Sequence, residues 1–212
     1  MTYRRSFLIQ IMLLSLLFFL FTVQAQDNLY GPDAPLDVAY VRAVHAAPEV
    51  GALEVTSGDA ALGQPEFTQV TPYAPLEPGT LTLSAGELNA EVTVEAGEFY
   101  TAVVLPQEVT LLTDEPLVDA SRGLLTFYNF SASEASLATA DRATEIIAGV
   151  ASMSESSTVV NQAEVALGVF SGEEQLGTLE PRLLTRGVAH GVFLFDSPEG
   201  PVVTYAAAEA VD

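Results

Sequence analysis

The chain has no cysteine and no tryptophan among its 212 residues, no lysine, and only two histidines. Each absence removes a class of explanation. Without cysteine there can be no disulfide framework, no thiolate nucleophile and no lipid-bearing cysteine behind an export signal, so the fold must be held by apolar burial. His45 and His190 lie far apart, each in a strand-like run, and a zinc site would need both plus a carboxylate. No calcium-loop alternation of Asp and Asn, no Gly-x-Ser-x-Gly elbow, no phosphate loop and no dinucleotide glycine pattern occurs. Asp196-Ser197 follows an apolar run, but Phe195 and Pro198 flank it, which is turn chemistry. Acids are so frequent that neighbours such as Glu173-Glu174 or Asp114-Glu115 mark nothing by themselves. No catalytic residue, metal ligand or cofactor is therefore expected, and the chain reads as a binding protein, not an enzyme.

Positive charge is the other scarcity. Seven arginines face 28 acidic residues, a formal net charge of -21. Such a chain repels nucleic acid and other polyanions.

The N-terminus has the form of a secretory signal. Arg4 and Arg5 precede the largely apolar run 7–23, and Val23-Gln24-Ala25 closes it. Cleavage is predicted after Ala25, and no later segment is long and apolar enough to span a membrane. A retained anchor is the alternative, because the run nearly spans a bilayer. Cleavage removes two arginines and no acid, so -21 becomes -23. The expected location is the Gram-negative periplasm.

From residue 38 onward, period-two alternation dominates. Strands are expected at 38–43, 53–56, 81–83, 88–94 and 99–105, then at 124–130, 135–138, 145–148, 165–170, 175–179, 188–195 and 202–205. Turn residues separate them, among them Ser57-Gly58-Asp59, Glu77-Pro78-Gly79 and Ser171-Gly172. Residues 142–151 have a weak helical alternative, with the extended reading favoured. Val41-Arg42-Ala43-Val44-His45 matches Leu125-Thr126-Phe127-Tyr128-Asn129, and the strand after Gly97 matches the strand after Gly187. These offsets of about 84 to 90 residues suit two small sandwiches. The expected fold is all-β, two tandem antiparallel β-sandwich domains joined by a short linker. The expected boundaries are 1–25 for the signal, 26–113, a linker at 114–121, and 122–212.

Leu29-Tyr30-Gly31-Pro32-Asp33-Ala34-Pro35 is a stiff lead-in that cannot join a central strand. It reads either as a cap on the sandwich end or as a docking strip. Together with Tyr40-Val41-Arg42, Phe99-Tyr100-Thr101, Glu115-Pro116, Val165-Ala166-Leu167, Ser171-Gly172, Leu176-Gly177, Pro181 and Arg186-Gly187, it resembles the AlgF family, periplasmic accessory proteins of alginate O-acetylation. The resemblance covers nearly the whole mature chain. It implies two β-sandwiches and a non-catalytic role in complexes with periplasmic polysaccharide O-acetyltransferases. Tyr30, Gly31, Pro32, Pro35 and Arg42 become the candidate partner-binding residues. A polyanionic polysaccharide should be bound weakly or indirectly, unless Arg42, Arg122, Arg142, Arg182 and Arg186 cluster. The segment 41–48, Val-Arg-Ala-Val-His-Ala-Ala-Pro, also resembles a widespread bacterial cell-surface domain. That leaves a surface or structural module unrelated to acetylation as the alternative.

Overall fold

The computed structural model describes residues 35–208. The expected signal and most of the lead-in, including Tyr30, Gly31 and Pro32, lie outside the described residues. Among the described residues there are strands and no helix. The first half supplies β1 (Ala39–His45), β2 (Val55–Ser57), β3 (Ala60–Gly63), β4 (Ala74–Leu76), β5 (Gly79–Ala85), β6 (Leu88–Val94), β7 (Phe99–Val104) and β8 (Val109–Asp114). The second supplies β9 (Gly123–Phe130), β10 (Ala135–Thr139), β11 (Glu145–Val150), β12 (Ser154–Val160), β13 (Ala163–Ser171), β14 (Glu174–Leu184), β15 (Ala189–Phe195) and β16 (Val202–Ala207).

The two halves are one topology used twice. Sheets β4-β1-β7-β8 and β3-β2-β5-β6 form the first sandwich, and β12-β9-β15-β16 and β11-β10-β13-β14 form the second. Adding eight to each strand number of the first half produces the second. Tyr40 stands beside Phe99 as Leu124 stands beside Ala189, which are the offsets the sequence repeat carried. In each half the central pair, β1 with β7 and β9 with β15, is parallel, and the remaining pairs are antiparallel. Gly97 and Gly187 turn the chain into β7 and β15 at matching positions. Both have positive φ, +81° and +69°, a conformation that glycine adopts without steric cost.

The four central strands are buried on both faces, which is why their sequences are nearly continuous apolar runs. Alternation sends their residues to two different cores. Ala39, Val41, Ala43, Tyr100 and Val104 face the first sandwich's own interior, with Val55, Leu62, Leu83 and Val94. Leu125, Phe127, Val192 and Leu194 face the second interior, with Leu137, Ile147, Leu167 and Val169. The residues of opposite parity face the other half. Tyr40, Phe99, Leu124 and Ala189 gather at one end of this seam, and Val44, Val103, Tyr128, Phe130, Phe193 and Phe195 at the other. The inner sheets thus lie face to face, giving four layers with an aromatic seam in the middle. Tyr40 stacks on Phe99 at 4.6 Å and Tyr128 on Phe193 at 4.6 Å, separations in the favourable range for ring pairs.

Four strands were not expected from sequence: β3, β4, β8 and β12. All four lie at sheet edges, where one neighbour suffices and the apolar pattern is weak. Residues 145–150 are extended, as favoured. The connection after β8 is more than a tether, because Leu117 is 3% exposed and packs in the seam with Tyr40, Tyr73 and Phe99.

Candidate functional site

A cluster of buried, hydrogen-bonded polar side chains lies at the centre of the seam. Arg42 on β1, Thr101 on β7 and Asp114 at the end of β8 come from the first half, Tyr73 from the chain just before β4, and Tyr128 from β9 of the second. All five are buried. The Arg42 Nε–H donates to Thr101 Oγ1 at 2.9 Å, and its Nη2 donates to Tyr128 OH at 2.7 Å. Both hydroxyls pass the interaction on. Thr101 donates to Asp114 Oδ2 at 2.6 Å and Tyr128 donates to Asp114 Oδ1 at 2.8 Å, while Tyr73 OH also reaches Asp114 Oδ2 at 2.6 Å. The guanidinium and the carboxylate are 4.0 Å apart. The pair is therefore joined mainly through two hydroxyl relays, one from each half.

The Arg42 guanidinium also lies over three rings, Tyr73 at 4.6 Å, Tyr128 at 5.2 Å and Phe193 at 5.4 Å. A desolvated cation held this way gains from the rings' negative faces. Gly191 sits next to Phe193 on the seam. A Cβ built there would come within 2.6 Å of the Phe193 ring, so only glycine lets that ring lie flat. Beside the cluster is a cavity of about 10 Å³, lined by Arg42, Tyr73, Thr126, Tyr128 and His190, room for about one water.

Arg42, a candidate partner-binding residue, is placed inside the molecule. It is 4% exposed and joins the two halves of its own chain. Pro35 is exposed, and its carbonyl accepts a 3.0 Å hydrogen bond from Tyr40 OH, which ties the end of the lead-in to the seam. Leu36 beside it is 78% exposed.

The histidines are occupied separately. His45 Nε2 donates to Gly51 O at 3.1 Å and Nδ1 accepts from Ala47 N–H. His190 Nε2 donates to Thr185 O at 3.1 Å, which leaves Nδ1 to accept from Tyr205 OH at 2.6 Å. Burial pushes the His190 pKa below its ordinary value, and the nearby Arg182 adds to this. Asp196 accepts from Ala132 N–H, and Ser197 closes a turn onto Gly200 O. Among the described residues, Arg142 and Arg182 are engaged away from Arg42. Arg142 donates to the Gly172 and Glu173 carbonyls, and Arg182 lies 3.9 Å over the Tyr205 ring. Sequence reasoning missed Asp114, Thr101, Tyr73 and Tyr128. The available signal was parity: Tyr40 and Arg42 sit two apart in an otherwise apolar strand, on the face that also carries Val44.

Residues 12–191 match the profile of the family described as "Alginate O-acetyl transferase AlgF". The alginate biosynthesis protein AlgF of Pseudomonas aeruginosa is 30% identical over 169 residues, 79% of this chain and 77% of that protein. AlgF of Pseudomonas putida is 27% identical, over 82% and 80% of the two chains. The solved C-terminal domain of P. aeruginosa AlgF is 25% identical and covers 41% of this chain and 98% of that domain, with a TM-score of 0.38. The solved N-terminal domain is 26% identical and covers 39% and 99%, with a TM-score of 0.34. Through that profile match and these relatives, the chain belongs to the AlgF family of alginate biosynthesis proteins.

Proposed function

We propose that the chain is a non-catalytic periplasmic accessory protein, exported by its N-terminal signal and required for O-acetylation of an alginate-like exopolysaccharide. It acts by binding the periplasmic acetyltransferases. The observation that carries this reading is the closure of the seam cluster. The side chains with the richest chemistry, Arg42, Asp114, Tyr73, Tyr128 and Thr101, are buried and bonded to one another across the two halves. The space beside them is about 10 Å³, far below the roughly 300 Å³ at which small-molecule sites begin. An acyl-transfer site needs a nucleophile, a base and room for the acyl group, whereas this arrangement holds sheets together. Membership of the AlgF family supplies the process, and the net charge of -21 favours protein partners with basic faces over the polymer itself.

The test is the O-acetyl content of the exported polysaccharide. Proton NMR of purified polymer is compared between wild type, an in-frame deletion and the deletion carrying a plasmid copy. Acetyl groups should fall sharply in the deletion while polymer yield holds, and should return with the plasmid. Unchanged acetylation would refute the reading and leave a surface or structural module.

A further inference from the structure

The two flanks of the seam differ. At one, β8 runs beside β12, and β12 pairs with β9 through all of its residues, from Ser154↔Asn129 to Val160↔Gly123. At the other, the strand in the equivalent position is β4, which pairs with β1 only over Ala74–Leu76. Upstream of it Pro72 has no N–H to give. Thr71 fills in locally, its Oγ1 accepting from Ala43 N–H and its own N–H donating to Ala43 O, and contact resumes only at the bridge Val44↔Val70. The shortfall leaves a groove of about 340 Å³ between Val70, Thr71 and Pro72 on one side and Tyr205, Ala206 and Ala207 of β16 on the other.

The strand that borders this groove has a free edge. Ala208 N donates to Ala189 O, in register with His190↔Ala207. Antiparallel alternation then directs Val202, Thr204 and Ala206 toward β15 and turns the N–H and C=O of Val203, Tyr205 and Ala207 outward. Among the described residues no strand pairs with that side. Edge strands are ordinarily guarded by charge, proline or shortness. Guards are present elsewhere: Pro75 in β4, Glu91 in β6, Glu145 in β11, Glu155 in β12, and Glu174 and Pro181 in β14, while β8 lies beside β12 and β3 is four residues ending in Gly63. β16, Val-Val-Thr-Tyr-Ala-Ala, has none.

We propose that β16 and the groove beside it receive an extended basic segment of a partner protein, added as a further strand to the inner sheet of the second half. Strand addition draws its affinity from main-chain hydrogen bonds and its specificity from alternate side chains. Charge selects the occupant. The chain carries 28 acidic residues against seven arginines, a net charge of -21. A second copy would bring the same large negative charge, whereas a basic segment is attracted. The inference rests on the reading of the chain as a partner-binding protein and names the surface it would use.

The mature chain, residues 26–212, is titrated at physiological salt with two synthetic octapeptides of one β-prone pattern, bearing lysine in one and glutamate in the other at alternate positions. Amide exchange is followed residue by residue by NMR. The lysine peptide should slow exchange at Val203, Tyr205 and Ala207 at least tenfold, and the glutamate peptide should not. Ala207→Pro removes one outward N–H without breaking a bond to β15 and should abolish that protection while circular dichroism stays that of wild type. Ala207→Lys keeps the N–H and should weaken binding of the lysine peptide several-fold, which covers the case of a misfolded proline variant. No protection, equal protection by both peptides, or protection that survives both substitutions would overturn the proposal. In cells, a deletion strain complemented with Ala207→Pro should under-acetylate its polymer. If the deletion lowers acetylation and Ala207→Pro restores it fully, the β16 site falls and the accessory role stands. If the deletion itself has no effect, it is the accessory role that falls.

Discussion

Replacing Asp114 by asparagine removes a single charge from the centre of the seam with little change in shape. In the wild type that carboxylate accepts from Tyr73, Thr101 and Tyr128 and lies 4.0 Å from Arg42, at 1% exposure. Asparagine can accept with one oxygen only, so its amide N–H₂ points at a hydroxyl that was itself a donor, and Arg42 loses the carboxylate that lies 4.0 Å away. Breaking one partner of a buried pair costs about 3–5 kcal/mol, and the pair here is almost fully desolvated, so Asp114→Asn should lose about that much. With a urea slope of roughly 2–3 kcal/mol/M, the midpoint should fall by about 1–2.5 M. The chain has no tryptophan, so near-ultraviolet circular dichroism of the tyrosines is the direct assay, and Tyr40, Tyr73 and Tyr128 all sit in the seam. Arg42→Met alone should be similarly harmful. The double variant should lose less than the sum of the two, with a coupling of about 2 kcal/mol, within the usual range for residues in one network. A loss under about 1 kcal/mol for Asp114→Asn, or strict additivity in the double variant, would refute the view that this relay holds the two halves together.

Gly191→Ala should cost about 1–3 kcal/mol by overpacking, because the new methyl would meet the Phe193 ring at 2.6 Å and that ring is already stacked on Tyr128; a neutral result in the same urea titration would mean the seam is loose there. The half-buried Glu155 and the buried His190 should give opposite pH slopes. Glu155 sits across from Tyr128, and burial, followed by repulsion from Asp114 and Glu115, raises its pKa above the ordinary 4.5. Its contribution to stability is therefore complete below about pH 4.5 and is lost as pH rises through the elevated folded value. His190 is shifted down from 6.5, so its contribution is complete above that pH and is lost as pH falls through the lowered value. Stability measured from pH 4 to 8 should show Glu155→Gln flattening the first slope and His190→Gln the second, and an unchanged profile in either variant would refute its assignment.

What the sequence made legible follows from burial. Strands β7 and β15 stood out because residues buried on both faces leave continuous apolar runs, and the duplication was visible because β1/β9 and β7/β15 carry it at offsets of 84 and 90 residues. Edge strands were harder. β12, Ser-Glu-Ser-Ser-Thr-Val-Val, has little apolar pattern, since none of its residues is fully buried. β4 is three residues with a proline. Asp114 looked like the start of an acidic linker, because a buried carboxylate and a solvated one are identical in sequence; only its hydroxyl donors, three residues scattered from 73 to 128, distinguish them. Arg42 suffered the reverse confusion. It was named as a candidate for partners through the Tyr40-Val41-Arg42 motif of the family resemblance, and its parity with Tyr40 in a strand buried on both faces was the sign that it pointed inward.

The seam between two copies of one topology has the outward form of a dimer interface, yet it lies within one chain. In a symmetric dimer every contact residue would occur twice, so an arginine at the centre would meet a second arginine and bring a second acid to neutralise it. Here the register equates Arg42 with Thr126, Thr101 with Gly191, and Asp114 with Ala208. Joining the halves in one polypeptide therefore frees the two faces to differ, and the molecule desolvates one guanidinium and one carboxylate where a symmetric assembly would desolvate two of each. The same freedom lets one flank of the seam be closed by a long strand while the other stays open.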